Sequence, residues 1–129
     1  MTLSGREVLL VGETFHSAHV LRERLHRLQF RCHFARDLQA ASDWLGSHPV
    51  DLVLSNMHLS DETGFRLLMT LDGLPVTAFL CLPVENSCLW LPAINAGKAC
   101  LGLPALRSSE FVSTLEEMAR SLAEAPKVN

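Results

Sequence analysis

The residues best placed to do chemistry follow an apolar run in the middle of the chain. Residues 51–56, Asp-Leu-Val-Leu-Ser-Asn, have the pattern of a buried strand, and a tight loop carries the chain on to Gly64. In an open α/β sheet, binding sites gather outside the carboxyl ends of the strands. That edge carries the amide of Asn56, and the loop after it adds His58, Asp61 and Glu62.

These side chains could bind a metal ion or a small ligand. Glu13 follows the first apolar run, and with Asn56, Asp61 and Glu62 it would line a pocket of the kind common in open α/β folds. Mg²⁺ prefers hard, anionic oxygens in a near-octahedral array, so Glu13 with one amide makes a thin site. In the alternative interpretation, Asp61 and Glu62 are solvated loop acids and His58 is an ordinary loop side chain.

The flanking sequence predicts the elements that position this edge. Apolar runs predict five strands, at residues 7–12, 30–35, 51–56, 76–82 and 99–103. Helical spacing and caps predict helices at residues 18–28, 38–45, 65–71, within 83–97, and from 108 or 109 to about 122. Asp37 would cap the second of these helices, and Phe111 and Leu115 would lie on the buried face of the last. Pro92 is awkward in the fourth helix, which must begin near Leu91 or bend. Strict βα alternation requires a parallel sheet covered by helices on both faces.

Length and composition bound the class of protein. The 129 residues, 48% of them apolar and with a net charge of −3, predict one domain with its core at about residues 6–122 and a polar tail at 123–129. No basic excess points to nucleic acid or an anionic membrane, and no run approaches a bilayer span. Because the N-terminus lacks a signal-peptide pattern, we expect a cytoplasmic location. The four cysteines form no CxxC pair, so we expect buried thiols and no metal site.

Glycine or proline occurs at a characteristic position in each of three stretches. These are residues 51–65, Ala-Ile-Asn-Ala-Gly at 93–97, and Leu-Gly-Leu-Pro at 101–104. In these stretches, and over residues 6–122 as a whole, the chain resembles the receiver domain of bacterial two-component response regulators. The resemblance implies a flavodoxin-like (βα)5 doubly wound parallel sheet with strand order 2-1-3-4-5 and a role in phosphorelay signal transduction.

The resemblance also implies where phosphoryl transfer from a histidine kinase would occur. In the family, two acidic residues after the first strand bind Mg²⁺, an aspartate ending the third strand accepts the phosphoryl group, a hydroxyl residue ends the fourth, and a lysine ends the fifth. The matching positions here are Gly12, Glu13, Asn56, Leu80 or Cys81, and Leu103. Only Glu13 keeps the family's chemical type.

These departures favour a degenerate receiver, or pseudo-receiver. An amide is a poor nucleophile, so Asn56 cannot form the acyl phosphate. Leu103 cannot neutralise a phosphoryl oxygen, and the fourth strand offers no hydroxyl. We therefore expect a non-enzymatic module that is not phosphorylated, has no cofactor and binds Mg²⁺ weakly at most. The alternative is an atypical receiver that still binds a metal, a small ligand or a phosphoryl group at the carboxyl edge.

The resemblance further implies a docking face formed by the fourth helix, the fifth strand and the fifth helix. The fourth helix here contains Leu89, Trp90 and Leu91, and helical spacing would leave Leu89 and Leu91 outside the buried stripe. We expect this face to bind a signalling protein, an output domain or a second copy of the chain. Equally, Pro92 could bend the segment so that the run packs inward. The fifth-strand switch position, Cys100, is not aromatic.

Overall fold

The fold is known from a computed structural model that describes residues 7–13, 15, 19–71, 73–84, 87–95, 98–99 and 106–124. The strands are β1 (Glu7–Val11), β2 (Arg31–Ala35), β3 (Leu52–Asn56), β4 (Thr77–Val84), β5 (Ser87–Asn95), β6 (Lys98–Ala99) and β7 (Leu106–Arg107). The helices are α1 (His19–Arg27), α2 (Leu38–Leu45), α3 (Gly64–Leu71) and α4 (Ser108–Glu124). No helix in the described ranges is both long enough and apolar enough to cross a bilayer.

The first four strands form the parallel sheet that the apolar runs predict. Their order is β2-β1-β3-β4, and each neighbouring pair is parallel. Val8 to Val11 and Leu52 to Leu54 are 0% exposed, because these strands are covered on both faces. Crossover helices of this kind carry each strand's carboxyl end to the same edge, where Gly12 and Asn56 lie.

Two apolar layers flank the sheet. On one face, α1 and α4 pack against alternate strand residues, with Leu25, Phe111 and Leu115 at the centre. On the other face, α2 and α3 bury Ala41, Leu67 and Leu71. Leu21 and Leu28 on α1, and Leu38, Trp44 and Leu45 on α2, are partly buried against these layers, as their spacing predicts.

The predicted fourth helix is wrong. Residues 87–95 form β5, which pairs antiparallel with β4 from Val84↔Ser87 to Ala78↔Ile94. Pro92 disfavours a helix interior, and here it lies opposite Phe79, next to a register shift at Ala78/Phe79. A proline is tolerated at such an irregularity because it removes one ladder hydrogen bond where the ladder is already interrupted.

The predicted fifth strand, residues 99–103, is also altered in the part that the structure describes. Ala99 belongs to the two-residue strand β6, which pairs antiparallel with β5. The fifth place in the sheet is therefore taken by β5, and the strict βα alternation stops after β4. Three residues of this stretch lie outside the described residues: Cys100, Leu103 and Pro104. The position that carries a lysine in the family, Leu103 here, is therefore not described.

The last helix begins at Ser108, within the range predicted for its start. Glu110 lies in its first turn, and its Oε1 accepts a hydrogen bond from the backbone N–H of Arg107 at 3.1 Å. A carboxylate suits this position because the first N–H groups of a helix lack internal partners. Phe111 and Leu115 are buried as predicted, at 1% and 0% exposure.

Candidate functional site

Asn56 ends β3 at the carboxyl edge of the sheet. It is 9% exposed, and its backbone pairs in register with Cys81 of β4. The next backbone N–H, from Met57, donates to the carbonyl of Cys81 at 2.9 Å, and the Ser55 hydroxyl donates to the carbonyl of Asn56 at the same distance. These hydrogen bonds therefore fix the backbone that carries the amide at the acceptor position.

Gly12 is packed directly against the side chain of Asn56. Its φ is +127°, a conformation that residues with a side chain rarely adopt. A Cβ atom added at Gly12 would lie 2.8 Å from Cγ of Asn56, well inside contact distance. The amide thus fills the space that an acidic side chain at position 12 would need. Two of this chain's departures from the family pattern, at positions 12 and 56, therefore meet in one steric contact.

Gly64 closes the loop after β3 against the same residue. A Cβ at Gly64 would lie 2.6 Å from the carbonyl oxygen of Asn56 and 2.8 Å from Cδ2 of Leu80. Its N–H donates to the carbonyl of Met57 at 2.7 Å. The sequence pattern identifies Gly64 only as the end of the loop. Its close approach to the sheet explains why no larger residue fits there.

Glu13, His58 and Glu62 are the other predicted polar residues near Asn56. Glu13 is exposed just beyond β1. Glu62 lies just before α3 and pairs with Arg66 of that helix at 3.7 Å, and its Oε1 also accepts the N–H of Thr63 at 3.0 Å. His58 is exposed and makes an isolated bridge with Thr63. Within the described ranges, no group of three or more His, Cys, Asp or Glu is arranged to hold a metal ion.

Asp61 has a structural partner that the sequence did not reveal. Its two carboxylate oxygens accept the backbone N–H groups of Leu38 and Gln39, at 3.0 and 3.1 Å. Asp37, the predicted N-cap, accepts the N–H of Ala40 at 2.9 Å. Two carboxylates therefore satisfy three of the unpaired N–H groups that begin α2. Asp61 joins the β3–α3 loop to α2.

Replacing Asp61 with alanine is expected to lower the melting temperature at pH 7. The hydrogen bond from Leu38, supported by that from Gln39, lowers the pKa of the Asp61 carboxyl. A lowered folded-state pKa gives stabilisation above the unfolded-state value of about 3.9, which disappears as pH falls through the folded-state pKa. Thermal melts from pH 7 down to pH 2 should show the difference between variant and wild type vanishing in acid.

The matched control for that experiment is Asp43→Ala on the same helix. Asp43 is exposed and lies beyond the first turn of α2. Its carboxylate accepts a hydrogen bond from the side chain of Gln39 at 3.0 Å. Its removal should change the melting temperature little at any pH. A constant Asp61→Ala difference across the whole pH range would contradict the charged-cap interpretation.

The fourth-strand position carries no hydroxyl at either of the two predicted residues. Leu80 is 1% exposed and pairs with Ser55, whereas Cys81 is 4% exposed and lies opposite Asn56. Burial raises the pKa of the Cys81 thiol, and a hydrogen bond with Cys88 raises it further. Cys81 therefore stays neutral at physiological pH and is a weak hydrogen-bond donor.

The predicted interface residues lie on β5 rather than on a helix. Trp90 is 4% exposed, and its ring stacks on Phe111 with centroids 4.0 Å apart. Leu89 and Leu91 alternate with it and are partly exposed. The separation of a buried tryptophan from two partly exposed leucines therefore comes from strand alternation and not from the helical spacing on which the prediction was based. Their role in an interface stays a prediction.

Comparison with known proteins agrees with this arrangement. No family model matches the chain. The two-component response regulator ORR8 of rice, from Oryza sativa subspecies indica and japonica, is 31% identical over 86 residues, which cover 66% of this chain and 71% of the relative. The solved signal receiver domain of an HD domain-containing protein from Pseudomonas fluorescens Pf-5 has a TM-score of 0.53 and 35% identity. That match covers 62% of this chain and 61% of the other.

The fold is flavodoxin-like, with additional strands at one side. This conclusion rests on the parallel β2-β1-β3-β4 core, on the helices packed against both faces of the sheet, and on these similarities. Receiver domains are in general signalling modules rather than enzymes. The identity of 31% extends over more than two thirds of the rice regulator. The chain belongs to the two-component response regulator family and contains its receiver domain.

Proposed function

We propose that this receiver domain does not accept a phosphoryl group and regulates by docking to another signalling protein. The observation that carries the proposal is the contact between Asn56 and Gly12. The acceptor position holds an amide, which is a poor nucleophile, and that amide occupies the space above Gly12. The acidic pocket thus lacks both its nucleophile and the room for one of its carboxylates.

Magnesium binding at this edge is weak at most in this proposal. Mg²⁺ requires several hard oxygen ligands, preferably anionic ones. Asp61 is hydrogen-bonded to the start of α2, and Glu62 is paired with Arg66. That leaves Glu13 and the amide of Asn56 as the nearest candidates at the positions where the family binds its ion. No cofactor is needed for a docking function.

Intact mass spectrometry after incubation with Mg²⁺ and acetyl phosphate tests the proposal. The mass of the wild-type chain should not change, whereas an active receiver treated in parallel should gain one phosphoryl group. Asn56→Asp should also gain little, because Gly12 supplies no carboxylate and no room for one. A phosphoryl group on wild-type protein would overturn the proposal. Peptide mapping would then show whether Asp61, Glu62 or His58 carries it.

The docking surface that we propose includes Leu89 and Leu91, with α4 beside it. Both leucines are partly exposed, and β5 contacts β7 and α4 at the side of the sheet away from β2. The partner is another signalling protein or an output domain in the cytoplasm, or a second copy of this chain. Neither nucleic acid nor a membrane is proposed as a partner, because the net charge is −3.

Replacing both Leu89 and Leu91 with serine should abolish self-association or partner binding without unfolding the domain. Light scattering would measure the mass of the assembly, and circular dichroism would confirm the fold. The matched control is Phe65→Ser with Met69→Ser, which removes two exposed apolar side chains of α3 instead. If only this control reduced association, the docking surface would lie on α3 and the assignment to β5 would fail.

A further inference from the structure

An apolar cavity lies under the carboxyl edge of the sheet, on the face covered by α1 and α4. Its volume is about 320 Å³, and Asn56 and Cys81 lie at its sheet side. Small-molecule sites in proteins occupy roughly 300 to 1,000 Å³, are mainly apolar and carry a few polar groups. The cavity is therefore large enough for one small ligand. The cavity shares Asn56 and Cys81 with the edge where the family's phosphoryl chemistry takes place, but its aromatic wall and Arg24 belong neither to that chemistry nor to the pocket predicted from sequence.

Aromatic rings form one wall of this cavity. The indole of Trp90 and the ring of Phe111 are stacked with centroids 4.0 Å apart and planes 5° apart. Phe15 lies 6.2 Å from Trp90, and Phe79 packs edge-on against Phe111 at 5.0 Å. Trp90 and Phe111 are held in place from the core side, so the wall is rigid before any ligand arrives. A flat apolar body suits such a wall.

Arg24 adds one positive charge at the same cavity. It lies on α1 with Val20 and Leu21, which also line the cavity, and its side chain is exposed to solvent. The next arginine on this helix, Arg27, is paired with Glu23 at 3.8 Å. In the described part of the chain, none of the ion pairs involves Arg24. None of the described residues that line the cavity carries a carboxylate.

We propose that this cavity binds a small, flat, apolar anion, such as an aromatic carboxylate. The apolar body lies against Trp90 and Phe111, and the guanidinium of Arg24 binds the anionic group at the mouth. Such a ligand would contact α1, α4 and β5 together. The inference does not depend on the loss of phosphorylation, because none of these three groups takes part in phosphoryl transfer.

Titration with 2-naphthoate, followed by the two tryptophan indole N–H signals in NMR spectra, tests the inference. The Trp90 signal should shift saturably, and the Trp44 signal should not, because Trp44 lies on α2 across the sheet. A Trp44→Phe variant assigns the two signals. The neutral analogue 2-naphthalenemethanol should bind about fivefold more weakly, since it loses only a partly exposed ion pair.

Two variants separate the charge from the cavity. Arg24→Gln should weaken 2-naphthoate binding about fivefold and leave 2-naphthalenemethanol unchanged, whereas Arg27→Gln should affect neither. Val112→Phe should block both compounds by filling the cavity. Absence of a saturable Trp90 shift would overturn the inference, and so would equal binding of 2-naphthoate by the Arg24 and Arg27 variants. Both arginines are exposed, so these two variants should fold as the wild type does.

Discussion

Replacing Gly12 with alanine is expected to lower the free energy of unfolding by roughly 2–6 kcal/mol. Two effects add. A side chain at φ +127° is strained, at a cost of about 1–3 kcal/mol. The new Cβ would also lie 2.8 Å from Cγ of Asn56, and such overpacking costs about 1–3 kcal/mol. Urea denaturation followed by circular dichroism would measure the change.

Gly73→Ala is the matched control for the Gly12 prediction. Gly73 also has a positive φ, of +84°, but an added Cβ would meet nothing within 4 Å. Its replacement should therefore cost only the backbone strain, about 1–2 kcal/mol. Adding Asn56→Ala to the Gly12→Ala variant should recover the steric share. Equal costs for Gly12→Ala and Gly73→Ala would show that the contact with Asn56 carries no energy.

This contact also constrains any variant that carries the family's acidic residues at positions 12 and 56. Asn56→Asp would supply a carboxylate for the acceptor position, but Gly12→Asp would place a second side chain in the same space. We expect the double variant to be less stable than Asn56→Asp alone, because the overlap remains and two like charges become close. The carboxyl edge around Asn56 is therefore a packed arrangement rather than a set of independent substitutions.

Replacing Phe111 with alanine is expected to lower the free energy of unfolding by about 3–5 kcal/mol. Phe111 is 1% exposed and stacks on Trp90, and its ring meets Phe79 edge-on at 5.0 Å. Its removal leaves a cavity between α4 and the antiparallel side of the sheet. Equilibrium urea unfolding would give the change, and Trp90 fluorescence should shift as its stacked partner disappears.

Val112→Ala provides the comparison for that experiment. Val112 follows Phe111 on α4 but is only partly buried, so its truncation should cost about 1 kcal/mol or less. If the two variants lost the same stability, the Trp90–Phe111 stack would not anchor α4 to β5. The proposed docking surface depends on that anchor, because β5 and α4 present it together.

Sequence patterns predicted the half of the fold whose signals are local. The continuous apolar runs at Val8 and Leu52 require strands covered on both faces, and the spacing of Leu21, Leu25 and Leu28 requires one buried helix stripe. Asp37 was identified as a cap from its position alone, because a cap bonds within its own turn. The family resemblance then placed Asn56 at the acceptor position.

The second half departed from the prediction because its signals conflict. Residues 87–95 are apolar without a clear period. Such a pattern fits both a strand and a helix, and it can be assigned only when the segment that packs beside it is known. Pro92 opposed the helix, and β4 offered an edge with which the segment could pair. Pairing with β4 is a long-range interaction, and local sequence propensities do not predict it.

The sequence by itself determined the chemistry of the site: an amide at Asn56, no side chain at Gly12, and no hydroxyl at Leu80 or Cys81. Only the tertiary structure decided how these residues act on one another. It brought Asn56 against Gly12, 44 positions apart in the chain, and it directed Asp61 to the start of α2 instead of to a metal pocket. The physical reason is that residue identity fixes which bonds a group can form, whereas packing of distant segments fixes which partner is within reach.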